Sequence, residues 1–171
     1  MTTTSASQGY RTINPATGEL LKSFDNATDQ QIADALDASQ AAYEQWSRKS
    51  VAERAAVVKR ISELLAERSK DIAAVITTEM GKSLGAAVGE VRYSAQIFGY
   101  YADEAEELLA DQPIKQFSGQ EAFVQRLPIG PLLGIMPWNF PVYQVARFVA
   151  PNLVLGNTIL LKHAEINPQV A

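Results

Sequence analysis

Between Pro131 and Ala171 the chain carries charge only at Arg147, Lys162 and Glu165. Leu132 to Met136 reads as an apolar strand, Val142 to Leu155 as a helix and Thr158 to Lys162 as a second apolar strand, with Gly156-Asn157 placed to stop the helix. A crossover helix between two strands returns the chain to the same end of the sheet, so the strands should be parallel. Parallel strands are apolar because helices cover both faces, and a stable sheet of this kind needs more than two of them. The segment therefore reads as the opening of a doubly wound α/β domain. Asn167-Pro168 looks like an N-cap followed by proline in the first helical position, yet the chain ends three residues later. That is too short for a stable turn, so the expectation is a domain cut off early.

The preceding residues carry most of the charge and read as a solvated helical layer. Tyr10 to Ile13 and Leu20 to Phe24 are extended segments around the turn-rich Asn14-Pro-Ala-Thr-Gly18, which predicts a hairpin. Four helical patterns follow. The first is capped by Thr28 or Asp29, with Ile32, Leu36, Tyr43 and Trp46 on its apolar face. The second shows Val57, Val58, Ile61, Leu64 and Leu65, and the third shows Ile72, Val75, Ile76 and Met80 before a stop at Gly81. The fourth runs through Val91, Ala95, Phe98, Ala102, Ala105 and Leu109. Pro113 closes this half, Gln120 to Leu127 reads as a strand after Ser118-Gly119, and Pro128 to Pro131 is a break. The division expected is a disordered tail (1–9), a hairpin and helical part (10–112), a strand or arm (113–130) and the start of a dinucleotide-binding sheet (131–171).

Composition removes several function classes. A chain of 171 residues with net charge −4 and no basic stripe is a poor nucleic-acid binder. No apolar run approaches the roughly 18 residues of a membrane span. Met1 to Gln8 lacks the basic and apolar regions of a signal peptide, which leaves a cytoplasmic location as the default. With no cysteine there is no disulfide and no thiolate chemistry, and no cluster of metal-ligand type is visible.

Chemistry concentrates at the strand ends. Gly134-Ile-Met-Pro-Trp-Asn-Phe-Pro141 is a strand running into a turn whose two prolines restrict the backbone. Asn139, between aromatics, is either a turn residue bonding its own backbone or an amide donor for a developing negative charge. Arg147, the one charge on its helix, either snorkels or forms a fork for a substrate carboxylate. Lys162 and Glu165 follow the second strand, where open α/β sheets bind ligands; they suit phosphate and ribose hydroxyls, or form an ordinary exposed ion pair. His163, the sole histidine, reads as structural. Asp103 to Glu107 reads as a solvated face more than an acid/base pair. Gly81-Lys82-Ser83 has Ile76 where a phosphate loop needs glycine, and no GxGxxG is present.

Asn14-Pro-Ala-Thr-Gly-Glu19, Glu79-Met-Gly-Lys82, Pro137-Trp-Asn-Phe-Pro141, Gly156-Asn-Thr158 and Leu161-Lys-His-Ala-Glu165, in this order and spacing, resemble the aldehyde dehydrogenase superfamily from about Tyr10 onward. The resemblance is strongest to the bacterial succinate-semialdehyde dehydrogenase branch. It implies a truncated Rossmann-like cofactor domain and, for the whole enzyme, oxidation of an aldehyde to an acid with NAD or NADP. It also implies a role for Asn139 in stabilising the oxyanion. Ile135, Met136, Pro137 and Trp138 would pass beside the cofactor, Lys162 and Glu165 would hold its adenosine ribose, Phe140 would wall the substrate tunnel, and Arg147 would bind a substrate carboxylate. The family's nucleophilic cysteine and glutamate base match no residue here, so the chain alone is expected to be inactive. His163 departs from the more usual residue after the lysine, and Glu165 suits a free 2′-hydroxyl better than a 2′-phosphate. A homo-oligomer is expected for the whole enzyme. The competing reading is a non-catalytic product acting as an oligomerisation or interaction module through the 120–127 strand and the first helices.

Overall fold

The computed structural model describes residues 9–115 and 119–171. The expected tail, apart from Gly9, and Ser118 ahead of the arm lie outside the described residues. Strands β1 (Tyr10–Ile13) and β2 (Leu20–Phe24) pair antiparallel, with Tyr10 opposite Phe24. Asn14 makes the turn between them: its carbonyl accepts from Gly18 N at 2.8 Å and its side chain accepts from Ala16 N at 2.9 Å.

Four long helices follow: α1 (Asp29–Trp46), α2 (Val51–Glu67), α3 (Ser69–Met80) and α4 (Leu84–Asp103). Thr28 with Gln31 and Ser50 with Glu53 form reciprocal capping boxes at α1 and α2, satisfying amides that the helices leave open. Gly81 ends α3 at φ 78°, a left-handed conformation that glycine adopts without steric cost. The fourth helix is shorter than its periodicity predicts. It breaks at Glu104, and the chain resumes as α5 (Ala105–Leu109). The break lets Ala105 pack into the same buried cluster as Val58 and Ala102. The apolar face expected of α1 is only half used: Ile32 and Leu36 are exposed, while Tyr43 donates to Pro128 O and Trp46 to Leu153 O.

The arm is also less regular than expected. In place of a strand over 120–127, β3 (Gln112–Pro113) and β4 (Phe123–Val124) form a short antiparallel ribbon, extended by Ile114 N donating to Ala122 O at 2.8 Å. A strand persists only where a neighbouring backbone pairs with it, and Gln112–Pro113 supplies that partner over two residues.

The C-terminal segment forms the expected unit: β5 (Pro131–Ile135), α6 (Tyr143–Leu155) and β6 (Thr158–Lys162). The strands are parallel, running from Pro131 opposite Thr158 to Ile135 opposite Lys162. Ala146, Ala150 and Val154 of α6 bury against Val58 of α2 and Phe98 of α4, forming the main core. Full burial of a side chain such as Val58 or Phe98 contributes about 1.5–3 kcal/mol. Gly134 faces α6, and a Cβ there would lie 2.6 Å from the Phe148 ring. By strand alternation Leu133 and Ile135 point the other way. They are 63% and 70% exposed, so the sheet that reads as buried on both faces has one face uncovered here. The expected helix start at Asn167-Pro168 is a turn instead. Asn167 is buried, but its side chain faces His163 and Trp138 O rather than a cap position.

Candidate functional site

The carboxyl ends of β5 and β6 lie side by side. Met136 N donates to Lys162 O at 3.0 Å, continuing the ladder one step past β5. Beyond it the two loops are tied by side chains of the second. His163 is buried, and its Nε2 donates to Pro141 O at 2.9 Å. With the proton there, Nδ1 accepts from Ala164 N at 2.8 Å. Asn167 Nδ2 donates to Trp138 O at 3.3 Å. His163 is thus structural, as its lone occurrence suggests, and it carries a specific duty: it fixes the 137–141 turn beside the Lys162–Glu165 loop.

The turn is held from the helical layer as well. Lys82 Nζ donates to Asn139 O at 2.7 Å and lies 4.0 Å from the centroid of the Phe140 ring. The same ammonium donates to Glu90 Oε2. Glu90 is buried, and its Oε1 accepts from Val142 N at 2.9 Å and Tyr143 N at 3.1 Å. One carboxylate therefore takes both the ammonium and the first amides of α6, whose partial positive charge favours an anion. That end of α6 is filled, so a ligand phosphate would meet the Glu90 charge there. The missing glycine-rich fingerprint agrees with this arrangement.

What remains available follows from these ties. Asn139 is exposed; its backbone is fixed while its side-chain amide has no hydrogen-bond partner among the described residues. Phe140 meets Tyr143 edge-on at 5.9 Å, Tyr143 stacks on Tyr93 at 5.7 Å, and the Arg147 guanidinium lies 5.8 Å from the Tyr143 ring. Arg147 is exposed and has no ion pair among the described residues. Lys162 and Glu165 are exposed and not paired with each other, which removes the ion-pair reading; Lys162 Nζ lies 5.7 Å from the Tyr10 ring centroid. Ile135 and Trp138 are exposed at the same strand end, with Met136 half-buried and Pro137 exposed. A ribose fits the chemistry of this donor set: an ammonium and a carboxylate, both open, beyond the end of a parallel strand.

The acidic run is accounted for without chemistry: Asp103 pairs with Lys59 at 2.7 Å on the surface, and Glu106 and Glu107 are exposed. Among the described residues no group of His, Asp and Glu could hold a metal ion, and no helix is long and apolar enough to cross a membrane. Sequence reasoning missed Glu90 and assigned no role to Glu79 or Lys82. A signal for Glu90 was present: an acid on an otherwise apolar stretch of helix, in phase with Ala87, Val91 and Ser94. Glu79 is buried in α3, and its carboxylate accepts from Gln169 N at 2.7 Å and Val170 N at 3.1 Å, anchoring the segment after the Lys162–Glu165 loop.

A parallel strand–helix–strand unit set against a layer of helices makes this a mixed α/β protein, with open polar groups at the carboxyl ends of its parallel strands. The aldehyde dehydrogenase family model matches residues 2–171, several residues further toward the start than the motifs indicate, and the chain belongs to that family. The NADP(+) succinate-semialdehyde dehydrogenase of Deinococcus radiodurans is 46% identical over 162 residues, covering 95% of this chain and 34% of that protein. The corresponding protein of Mycobacterium leprae is 41% identical, covering 94% of this chain and 35% of its own length. Among solved structures, the succinic semialdehyde dehydrogenase of Streptococcus pyogenes in complex with NADP+ matches with a TM-score of 0.91 at 40% identity, over 95% of this chain and 36% of that one. The chain spans about a third of the length of the curated relatives it matches.

Proposed function

We propose that this chain supplies the oxyanion amide and the ribose-binding loop of an NAD(P)-dependent aldehyde dehydrogenase that oxidises succinate semialdehyde or a similar ω-carboxylated aldehyde. The observation that carries the reading is Asn139: a turn held by Lys82, His163 and Asn167 that leaves one amide without a partner at the end of a parallel strand. Such an amide donates to an alkoxide without reorganising, and loss of a donor of this kind costs about 3 kcal/mol of barrier. Arg147, steadied against Tyr143, offers a planar fork to the distal carboxylate of the substrate. Lys162 and Glu165 would hold the adenosine ribose of a dinucleotide, which when bound accepts the hydride. Glu165 favours a free 2′-hydroxyl, while the relatives are named for NADP, so the cofactor stands as NAD(P). Ile135 to Trp138 line its path, and Phe140 walls the approach of the aldehyde. The chain contains no cysteine and so has no thiolate to attack the aldehyde. It is proposed to be inactive alone and to work as the N-terminal part of a longer enzyme. The β3–β4 ribbon, with Ile114, Phe123 and Val124 exposed along a two-stranded edge, supports homo-oligomerisation of that enzyme.

The test measures aldehyde-dependent reduction of NAD and NADP by the longer enzyme and by this chain. Turnover by the longer enzyme should fall about 100-fold or more in Asn139→Ala. Arg147→Met should raise KM for succinate semialdehyde far more than for an uncharged aldehyde of equal length. Full turnover by Asn139→Ala would refute the reading.

A further inference from the structure

We infer that Lys82 and Glu90 are positioning residues for Asn139, forming a clamp through which the helical layer sets the aim of the amide. The inference rests on the oxyanion reading of Asn139 given above.

The geometry is specific. Lys82 follows Gly81 directly, and that glycine's left-handed backbone redirects the chain as it leaves α3. The lysine side chain is largely buried, its head between Glu90 Oε2, the carbonyl of Asn139 and the face of Phe140. Holding the Asn139 carbonyl fixes the peptide plane at the residue whose side chain must donate. Glu90 acts on the other side of the same turn, taking the amides of Val142 and Tyr143. The 139–143 segment is therefore gripped at both ends by one ion pair anchored in α4. The grip is electrostatically self-consistent: the carboxylate is buried with a cation on one oxygen and two N–H donors on the other. Neither side chain is placed to touch an aldehyde at the Asn139 amide. Glu90 is 2% exposed, and Lys82 spends its donors on protein groups. Their effect on the reaction therefore passes through the position of Asn139.

The prediction separates positioning from bulk stability. Misplacing a reacting group by about 1 Å costs up to roughly 100-fold in rate, so a clamp that trims the aim by less should be worth about tenfold. In the longer enzyme, Lys82→Met should lower kcat about tenfold while the aldehyde KM changes by less than about twofold. Lys82→Arg, which keeps the charge and a donor, should recover most of that loss. In an Asn139→Ala background the Lys82→Met change should cost nothing further, because the group it aims is gone. Since Glu90→Ala risks the fold, Glu90→Gln is read in the longer enzyme by hydrogen exchange. Val142 and Tyr143 amides should lose protection while the α2 and α4 core keeps its own. Normal kcat in Lys82→Met, with Asn139→Ala inactive, overturns the clamp and leaves the oxyanion reading standing. Equal losses with and without Asn139 also overturn it. Full activity of Asn139→Ala instead removes the oxyanion reading, and the clamp's purpose with it.

Discussion

Glu79→Gln should open the segment after the Lys162–Glu165 loop without melting the protein. Glu79 is 3% exposed, and no cation pairs with it among the described residues. Its two carboxylate oxygens instead accept from Gln169 N and Val170 N at 2.7 and 3.1 Å. A hydrogen bond to a charged group contributes about 1.5–3 kcal/mol and a neutral one about 0.5–1.5 kcal/mol. Glutamine keeps one acceptor, now neutral, and turns an NH2 group toward the other N–H. The loss at the site is then about 2.5–4.5 kcal/mol, or about 60- to 1,600-fold in the local opening equilibrium. Whether this appears globally depends on what the segment supports. Val170 is only partly buried against the Ala73, Ile76, Ala87 and Val91 cluster, and Gln169 is exposed, so detaching the segment is cheaper than unfolding α2 and α4. Native-state hydrogen exchange should show Gln169 and Val170 amides losing protection by that factor, with Val58 and Phe98 amides unchanged. Unchanged protection at Gln169 and Val170 would refute the capping argument. An equal loss across α2 and α4 would refute the claim that the effect is local.

Gly81→Ala forces a side chain into φ +78° with its Cβ 3.0 Å from Pro15 Cγ. The cost of about 1–2 kcal/mol should lower the melting temperature by about 3–8 °C in a scan against the wild-type chain. The Glu53 carboxyl lies below its ordinary value of 4.5, chiefly through the Ser50 backbone N–H, then the Ser50 hydroxyl and the Lys49 charge. Its folded value being the lower one, its contribution is present above 4.5 and is lost as pH falls through the folded value. Melting temperatures of wild type and Glu53→Gln should accordingly converge on acidification, and a gap independent of pH would refute the assignment.

Much of the fold is legible in the residues because it follows from local rules. The hairpin turn at Asn14–Gly18, the Thr28 cap, the Gly81 and Gly156 stops and the parallel 131–162 unit each rest on neighbours in sequence. The misses share one cause. The break at Glu104 goes with burial of Ala105 in the Val58 cluster, and the 120–127 run pairs with its neighbour over two residues only. Both are set by tertiary contact, which overrides periodicity. The same holds at the candidate site. Asn139, Arg147, Lys162 and Glu165 announce themselves as polar residues in an apolar stretch. Lys82 and Glu90 sit in what reads as a solvated layer, and their roles come from contacts across 57 and 52 residues of chain.

The positions of Glu79 and Glu90 also explain why the usual phosphate-binding turn is missing. At the loop after β5, the amides of Val142 and Tyr143 point at Glu90; at the loop after β6, the amides of Gln169 and Val170 point at Glu79. In each case donors that could cradle a phosphate are already satisfied by a buried carboxylate from the helical layer. A third anion at either place would face like-charge repulsion at short range. Glycines that let a pyrophosphate approach the backbone would therefore serve no purpose at these loops, and none stands there. A dinucleotide held as proposed above would engage this unit by its sides: ribose hydroxyls at the exposed Lys162 and Glu165, and contact along Ile135 to Trp138. The helical layer is thus what converts a phosphate-type strand–helix junction into a rigid support for Asn139. The Glu90 carboxylate that fills the start of α6 also holds, through Lys82, the turn that carries Asn139, while Glu79 anchors the segment after the second loop.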